Sequence, residues 1–239
     1  MNLFLNSCFT SIRMDHTVLH DLPLFNGFSS DELKDVIKKA SLFRVEKGAY
    51  FYHQEDPADR AFVLLKGRVK LSQLTPDGQK IILRIAAPVQ VFAIVAVLPA
   101  KEYPVSAEAI EDCEALSWSQ NELQIISTAY PIFTSNAMDL MARYLQDFQT
   151  LFLQLATERV EQRLARILLR LHDLIGLDTE DGIFLDMPLT RQELAEMCGT
   201  TLSTVSRLLS SWEKNAIVRS GRAKVFIKDI LALKAIADY

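Results

Sequence analysis

Between Thr190 and Lys214 the chain spells two short helices and the bend that joins them, a pattern few folds can accommodate. Thr190-Arg191-Gln192-Glu193 is a capping box. The threonine hydroxyl accepts from a free backbone N–H of the first turn, and the glutamate reaches back to the N–H of the threonine. The helix it opens runs through Met197, Cys198-Gly199-Thr200 makes the bend, and Thr201 caps a second helix reaching about Lys214. Gly199 can adopt the left-handed conformation that a tight bend requires. Ala195 is small where two helices cross, and Val205 and Leu208 are expected to face back toward the first helix. Short helices joined in this way make a helix-turn-helix. Ile217-Val218, Ser220-Gly221-Arg222 and Val225-Phe226-Ile227 then read as two strands about a tight turn, a wing.

In such a motif the start of the second helix enters the major groove of double-stranded DNA. Leu202, Ser203, Ser206 and Arg207 would project toward the bases. The Arg207 fork can bond guanine O6 and N7 together, and the Ser206 hydroxyl can donate to or accept from a neighbouring base. Arg191, Thr201, Thr204, Ser210 and Arg222 are expected to meet phosphates, which position a protein without reading sequence. The net charge of −4 speaks against nucleic acid until its distribution is considered. From Pro188 to Tyr239 eight Lys and Arg face five Asp and Glu, which leaves +3 there and −7 in the remainder. Only the docking face has to attract phosphates.

Upstream, Ser29 and Glu32 repeat the capping signal, and Leu33, Val36, Ile37 and Ala40 give the helix one apolar face. Short β-rich runs come next: Ala49–Tyr52, Ala61–Leu65, Val69–Leu74, Lys80–Ile85, Val89–Val97, Ala107–Ile110 and Ala115–Trp118. Thr75-Pro76-Asp77-Gly78 is a hairpin turn between the third and fourth. Together they predict a β-barrel or jelly roll. After Pro131 the pattern is helical as far as Ile175. Met138, Met141, Leu145, Phe148, Phe152 and Leu155 recur there at alternating steps of three and four, the period of a two-chain seam. A helix packed on its own domain is the other reading. Thr157 is expected to cap a new helix with Val160, Leu164, Ile167, Leu168 and Leu171 on its apolar face, and Gly176 to stop it. Asp178, Glu180 and Asp181 beside Gly182 read as a solvated linker turn. The expected fold is α+β: a sensor β-roll over 15–135, a dimerisation helix over 136–158 and a winged helix-turn-helix over 159–239.

Some functions are disfavoured. Cys8, Cys113 and Cys198 lie far apart in no metal-ligand spacing, and three is an odd count, which suits a reducing cytoplasm. The apolar stretch Val89–Leu98 is too short to cross a bilayer. No signal peptide is read at Met1–Phe9, and Met14 is an alternative initiator. No Ser/His/Asp arrangement, paired carboxylates or phosphate-cradling glycine loop points to an enzyme.

Several segments resemble the CRP/FNR family of bacterial transcription regulators: Glu46-Lys47-Gly48-Ala49-Tyr50, Gln54-Glu55-Asp56-Pro57-Ala58-Asp59, the run from Phe62 to Lys70, the hairpin Thr75–Gln79, the stretch Arg159–Leu169, and Thr201–Arg207. The likeness extends from about Leu22 to the C-terminus. It implies a cyclic-nucleotide-binding-type β-roll, a homodimer on palindromic DNA, RNA polymerase as a further partner and a small effector. Cyclic-AMP-binding members hold ribose and cyclic phosphate with a Gly-Glu pair and an Arg-Ser pair. The corresponding regions here read Phe92-Ala93-Ile94-Val95 and Tyr103-Pro104-Val105-Ser106, leaving no arginine to neutralise a buried phosphate, so cyclic AMP is not the expected effector. FNR-type members hold an iron–sulfur cluster through clustered N-terminal cysteines, and Cys8 stands alone. Their recognition helix carries a glutamate where this chain has Ser203, whereas Ser206 and Arg207 match. The resemblance leaves Phe92, Ile94, Val95, Val105 and Met141 as the expected effector pocket. The β-roll lines most resemble the DNR-like branch, which senses nitric oxide through haem. Its axial ligand would come from His16, His20, His53, Cys113 or a helix methionine. A small apolar ligand or a redox input are the other readings of the sensor, and a ligand-binding module without a DNA role is the other reading of the chain.

Overall fold

The computed structural model describes residues 17–99 and 101–238. Helices α1 (Thr17–His20) and α2 (Ser30–Lys38) precede eight strands: β1 (Ser41–Val45), β2 (Tyr50–Tyr52), β3 (Arg60–Lys66), β4 (Val69–Leu74), β5 (Lys80–Ala86), β6 (Val91–Phe92), β7 (Ser106–Ala109) and β8 (Cys113–Ser119). They form two antiparallel four-stranded sheets, ordered β1-β8-β3-β6 and β2-β7-β4-β5, which face each other as a β-roll. Aromatic side chains fill the space between them. Phe62 stacks on Phe92 at 5.0 Å, Phe51 meets Phe92 edge-on at 5.1 Å, and Tyr52 stacks on Tyr103 at 3.7 Å. Each ring buries a large apolar area, and offset or edge contacts suit its quadrupole.

Helix α3 (Gln120–Ala129) leads to the 27-residue α4 (Pro131–Thr157), and α5 (Val160–Ile175) comes after a short extended joint. Strands β9 (Gly176–Thr179) and β10 (Gly182–Leu185) form a hairpin ahead of α6 (Arg191–Cys198) and α7 (Leu202–Lys214). Strands β11 (Val218–Gly221) and β12 (Lys224–Ile227) make the wing, and α8 (Ile230–Asp238) closes the chain. The third sheet runs β11-β12-β10-β9.

Several expectations need correction. Of Val89–Val97 only Val91–Phe92 is strand. Ala93 turns the backbone to φ +59°, and Ile94–Val97 is a 3-10 turn that buries Ile94 and Ala96. A short apolar run carries no period that separates these outcomes. Thr157 does not cap α5: its hydroxyl donates to the Leu153 carbonyl, and the N-cap position falls at Arg159, whose N–H is accepted by Gln162 at 2.9 Å. Gly176 does end α5, as its C-cap, but without a left-handed turn. It is extended (φ −70°, ψ 131°) and begins β9, where a Cβ would lie 2.5 Å from the His172 carbonyl. The acidic segment is the tip of the β9–β10 hairpin, with Asp181 paired to Arg219 at 2.8 Å.

Candidate nucleic-acid interface

Both predicted caps form. Thr190 accepts from the Glu193 N–H at 3.1 Å while Glu193 Oε2 accepts from the Thr190 N–H at 3.0 Å. Gly199 takes φ +60° and ψ 48° at the end of α6, and the Thr201 hydroxyl accepts from the Thr204 N–H at 3.3 Å. Val205, Leu209 and Trp212 then anchor α7 with exposures of 0%, 0% and 1%. Leu209, not Leu208, completes the inward face, since Leu208 is half-buried at its edge. Trp212 Nε1 also donates to Glu161 on α5 at 3.1 Å, which fixes the roll of α7 about its own axis.

With one face pinned, the other is determined by helical geometry. Leu202, Ser203 and Arg207 are exposed, and Ser206 and Ser210 are half-buried beside them. No carboxylate among the described residues pairs with Arg207, so its five donors face solvent. Arg222 is exposed at the tip of the wing, where Gly221 pairs with Lys224.

The residues expected on phosphates divide into two kinds. Thr201 and Thr204 share a hydroxyl contact at 3.0 Å inside the cap. Half-buried Arg191 donates to Ser220 Oγ at 3.1 Å, and the Ser220 N–H and hydroxyl donate to Glu213 Oε1 at 2.8 and 2.6 Å. These Ser220 bonds hold the Glu213 carboxyl below the usual carboxylate range. Arg191 therefore braces the wing against α6 and α7. Sequence spacing gave no sign of this, because Arg191 and Ser220 meet only through the fold.

The seam residues of α4 also divide. Met138, Leu145, Phe148, Phe152 and Leu155 expose 56%, 58%, 52%, 63% and 40% of their surface. Met141 instead packs half-buried on its own β-roll. It belongs with the pocket residues, because it faces the β-roll core while Met138 before it and Leu145 after it face outward.

Of the expected pocket residues, Phe92 and Ile94 are core, with exposures of 1% and 4%, so they fill the interior instead of lining a space. Val95, Val105 and Met141 are half-buried against that cluster. Arg84 on β5 and Tyr144 on α4 went unread, and they correct the expectation that no arginine is available. Arg84 Nη2 and the Tyr144 hydroxyl both donate to the Val91 carbonyl, at 2.9 and 2.6 Å. The guanidinium lies 4.5 Å from the centre of the Tyr144 ring, and Arg84 Nε is buried with no partner. A lone arginine amid Ile81, Ile82, Leu83, Ile85 and Ala86 is the signal that could have revealed it.

Among the described residues, the histidine and thiol candidates do not fit haem. His53 stacks on Tyr50 in an exposed turn, His20 contacts Ser30 at the surface, and His16 lies outside the described residues. The Cys113 thiol faces the Arg68 and Glu111 carbonyls. Burial pushes Cys113 up to about 11 and Cys198 up to about 12, which favours the neutral thiol over the thiolate at both.

Residues 42–129 match the cyclic nucleotide-binding domain family, and residues 162–236 match the Crp-like helix-turn-helix domain family. The chain is 26% identical over 214 residues to the anaerobic regulatory protein of Bacillus subtilis, covering 87% of this chain and 90% of that protein. Its identity to the cyclic AMP receptor protein of Thermus thermophilus is also 26%, over 90% of this chain and 96% of the relative. Among solved structures, a CooA mutant from Carboxydothermus hydrogenoformans superposes with a TM-score of 0.69 at 26% identity, over 89% of this chain and 92% of that one. No described helix is long and apolar enough to cross a membrane. A β-roll of the cyclic-nucleotide-binding type, a long helix and a winged helix-turn-helix with an exposed outer face thus occur in one chain, a transcription regulator of the CRP/FNR type.

Proposed function

We propose that two copies of the chain pair through α4 and bind a palindromic duplex, each copy placing α7 in a major groove, under the control of an effector other than cyclic AMP. The observation that carries this reading is the division of α7. Val205, Leu209 and Trp212 hold it rigidly from behind, while in front Arg207 is exposed and unpaired among the described residues, with exposed Ser203 and half-buried Ser206 beside it. Arg207 reads guanine, Ser206 the adjacent base, and Thr201, Thr204, Ser210 and Arg222 lie along the phosphates on either side. RNA polymerase is the further partner of such a regulator.

The effector meets the chain where β5 and β6 abut α4. There Arg84 offers a desolvated donor to a ligand's acceptor or anionic group, and Val95, Val105 and Met141 offer apolar contact. The segments that replace the Gly-Glu and Arg-Ser pairs supply no second cation, so a cyclic phosphate is poorly matched. The histidine and thiol placements disfavour a haem-based nitric oxide sensor of the DNR-like type.

Fluorescence anisotropy with an FNR-type palindromic duplex, across a salt series, tests the DNA reading. Affinity is expected to fall linearly on logarithmic axes as salt rises. Ser203→Glu restores an acceptor where FNR-like helices carry one, and is expected to raise preference for cytosine at one position of each half-site by about tenfold. A salt-independent signal, or equal affinity of the variant for all four bases there, contradicts the proposed docking.

A further inference from the structure

The helix-turn-helix is joined to the sensor by more than the chain. After α4 ends at Thr157, Glu158 and Arg159 are both extended, with ψ near 150° (148° and 153°), so the helical path breaks there although the Glu158 N–H still donates to the Gln154 carbonyl and the Arg159 carbonyl accepts from Arg163. Such a joint leaves the orientation of α5 and the elements beyond it to side-chain contacts.

The first contact is Lys70 on β4, whose side chain is only 9% exposed. Its Nζ lies 3.1 Å from Glu108 Oε2 on β7 and 3.3 Å from Glu193 Oε1 on α6. Glu193 is the capping-box residue of the helix-turn-helix: its other oxygen accepts from the Thr190 N–H and hydroxyl at 3.0 and 2.9 Å. One carboxylate therefore both starts α6 and receives the sensor's buried lysine. The second contact is Arg68, which bonds Glu111 of the sensor and Asp186 ahead of α6, both at 3.0 Å. Between them Ile82, Ile85 and Ile110 of the β-roll belong to the same buried cluster as Leu189, Leu194 and Met197.

An ammonium this deeply placed requires compensating charge. Glu108 is shared with Lys80 at 2.7 Å, so Glu193 is the partner that completes the balance. This arrangement leaves α7 uncovered: Ser203 and Arg207 remain exposed while α6 is held. We propose that Lys70 is a positioning residue for DNA binding, a clamp from sensor to α6 that fixes the direction in which α7 is presented. The inference rests on the reading that α7 binds DNA, and it adds the contact by which the sensor sets the angle of that helix.

A paired-variant experiment on the full chain tests it, with Lys70→Met, Glu193→Gln and the double variant. Glutamine also serves at this capping position, so Glu193→Gln keeps α6 capped while removing the charge. Each single variant is expected to lose about tenfold in affinity for the palindromic duplex, and the double variant no more than either single one. A clamp also controls half-site separation. The preference for native spacing over duplexes lengthened by two base pairs is therefore expected to shrink in all three variants. Loss of stability alone would weaken all duplexes alike. Wild-type affinity in both single variants, multiplicative losses, or losses equal at every spacing would overturn the proposal. Backbone hydrogen exchange over Leu189–Cys198 separates the two readings should the wild type bind no duplex. Faster exchange in Lys70→Met then upholds the clamp while the DNA reading fails, and unchanged exchange overturns the clamp as well.

Discussion

Replacing Leu145 and Phe152 together by glutamate is expected to leave the chain monomeric and to lower its occupancy of a palindromic duplex by about 100-fold or more. On a single chain these two side chains are 58% and 63% exposed, and Phe148 and Leu155 continue their row. A contiguous apolar stripe of this kind on a helix asks for a partner. Completing the burial of a Leu or Phe stabilises by up to about 1.5–3 kcal/mol, and two-fold symmetry makes every seam residue count twice. Four buried carboxylates in place of those side chains would dissociate the pair. The fold of one chain should survive, because the residues that tie α4 to the β-roll lie before the stripe, among them Phe133, Ala137 and Leu140, with exposures of 1%, 0% and 7%. Sedimentation velocity reads the association, circular dichroism the fold, and anisotropy the loss on DNA. A variant that stays dimeric would move the partner surface elsewhere.

Arg207→Ala is expected to cost about 100-fold in affinity for the palindrome without altering thermal unfolding. A bidentate arginine–guanine contact discriminates by about 1–3 kcal/mol, and the site contains two of them. Stability should not change, because the side chain is exposed and pairs with no described carboxylate. Arg207→Lys separates charge from geometry: the salt slope is kept while the guanine preference falls. Arg191→Ala should behave differently, since Arg191 holds Ser220 of the wing and would loosen a second element. A competition series over base-substituted duplexes measures these differences. Unchanged discrimination in Arg207→Ala would remove it from the bases.

Much of this was legible before the fold was known, for reasons that are local. The Thr190–Glu193 and Ser29–Glu32 boxes and Gly199 each act within a few residues, so their spacing in the sequence is their spacing in space. The same rule applied at Ser119 would have found α3, whose Glu122 completes another box. What stayed hidden depends on distant contacts. Ser41–Val45 is a strand because Cys113–Ser119 lies beside it, and its own pattern alternates poorly. Met141 shares the period of the seam yet packs on the β-roll, because periodicity names a helix face and does not say what covers it. Arg84 and Tyr144 meet across the sensor–helix junction, and Lys70 and Glu193 across the sensor and α6. No spacing rule reaches across either gap.

The central claim is that a self-paired chain presents two copies of α7 at a fixed separation. Selection of bound duplexes from a random pool by the purified protein tests it most directly. Two inverted half-sites with centres one helical turn apart, about 34 Å, are the predicted outcome, each with a guanine that loses its enrichment in Arg207→Ala. Enrichment of a single unpaired half-site, or of no sequence at all, would contradict it.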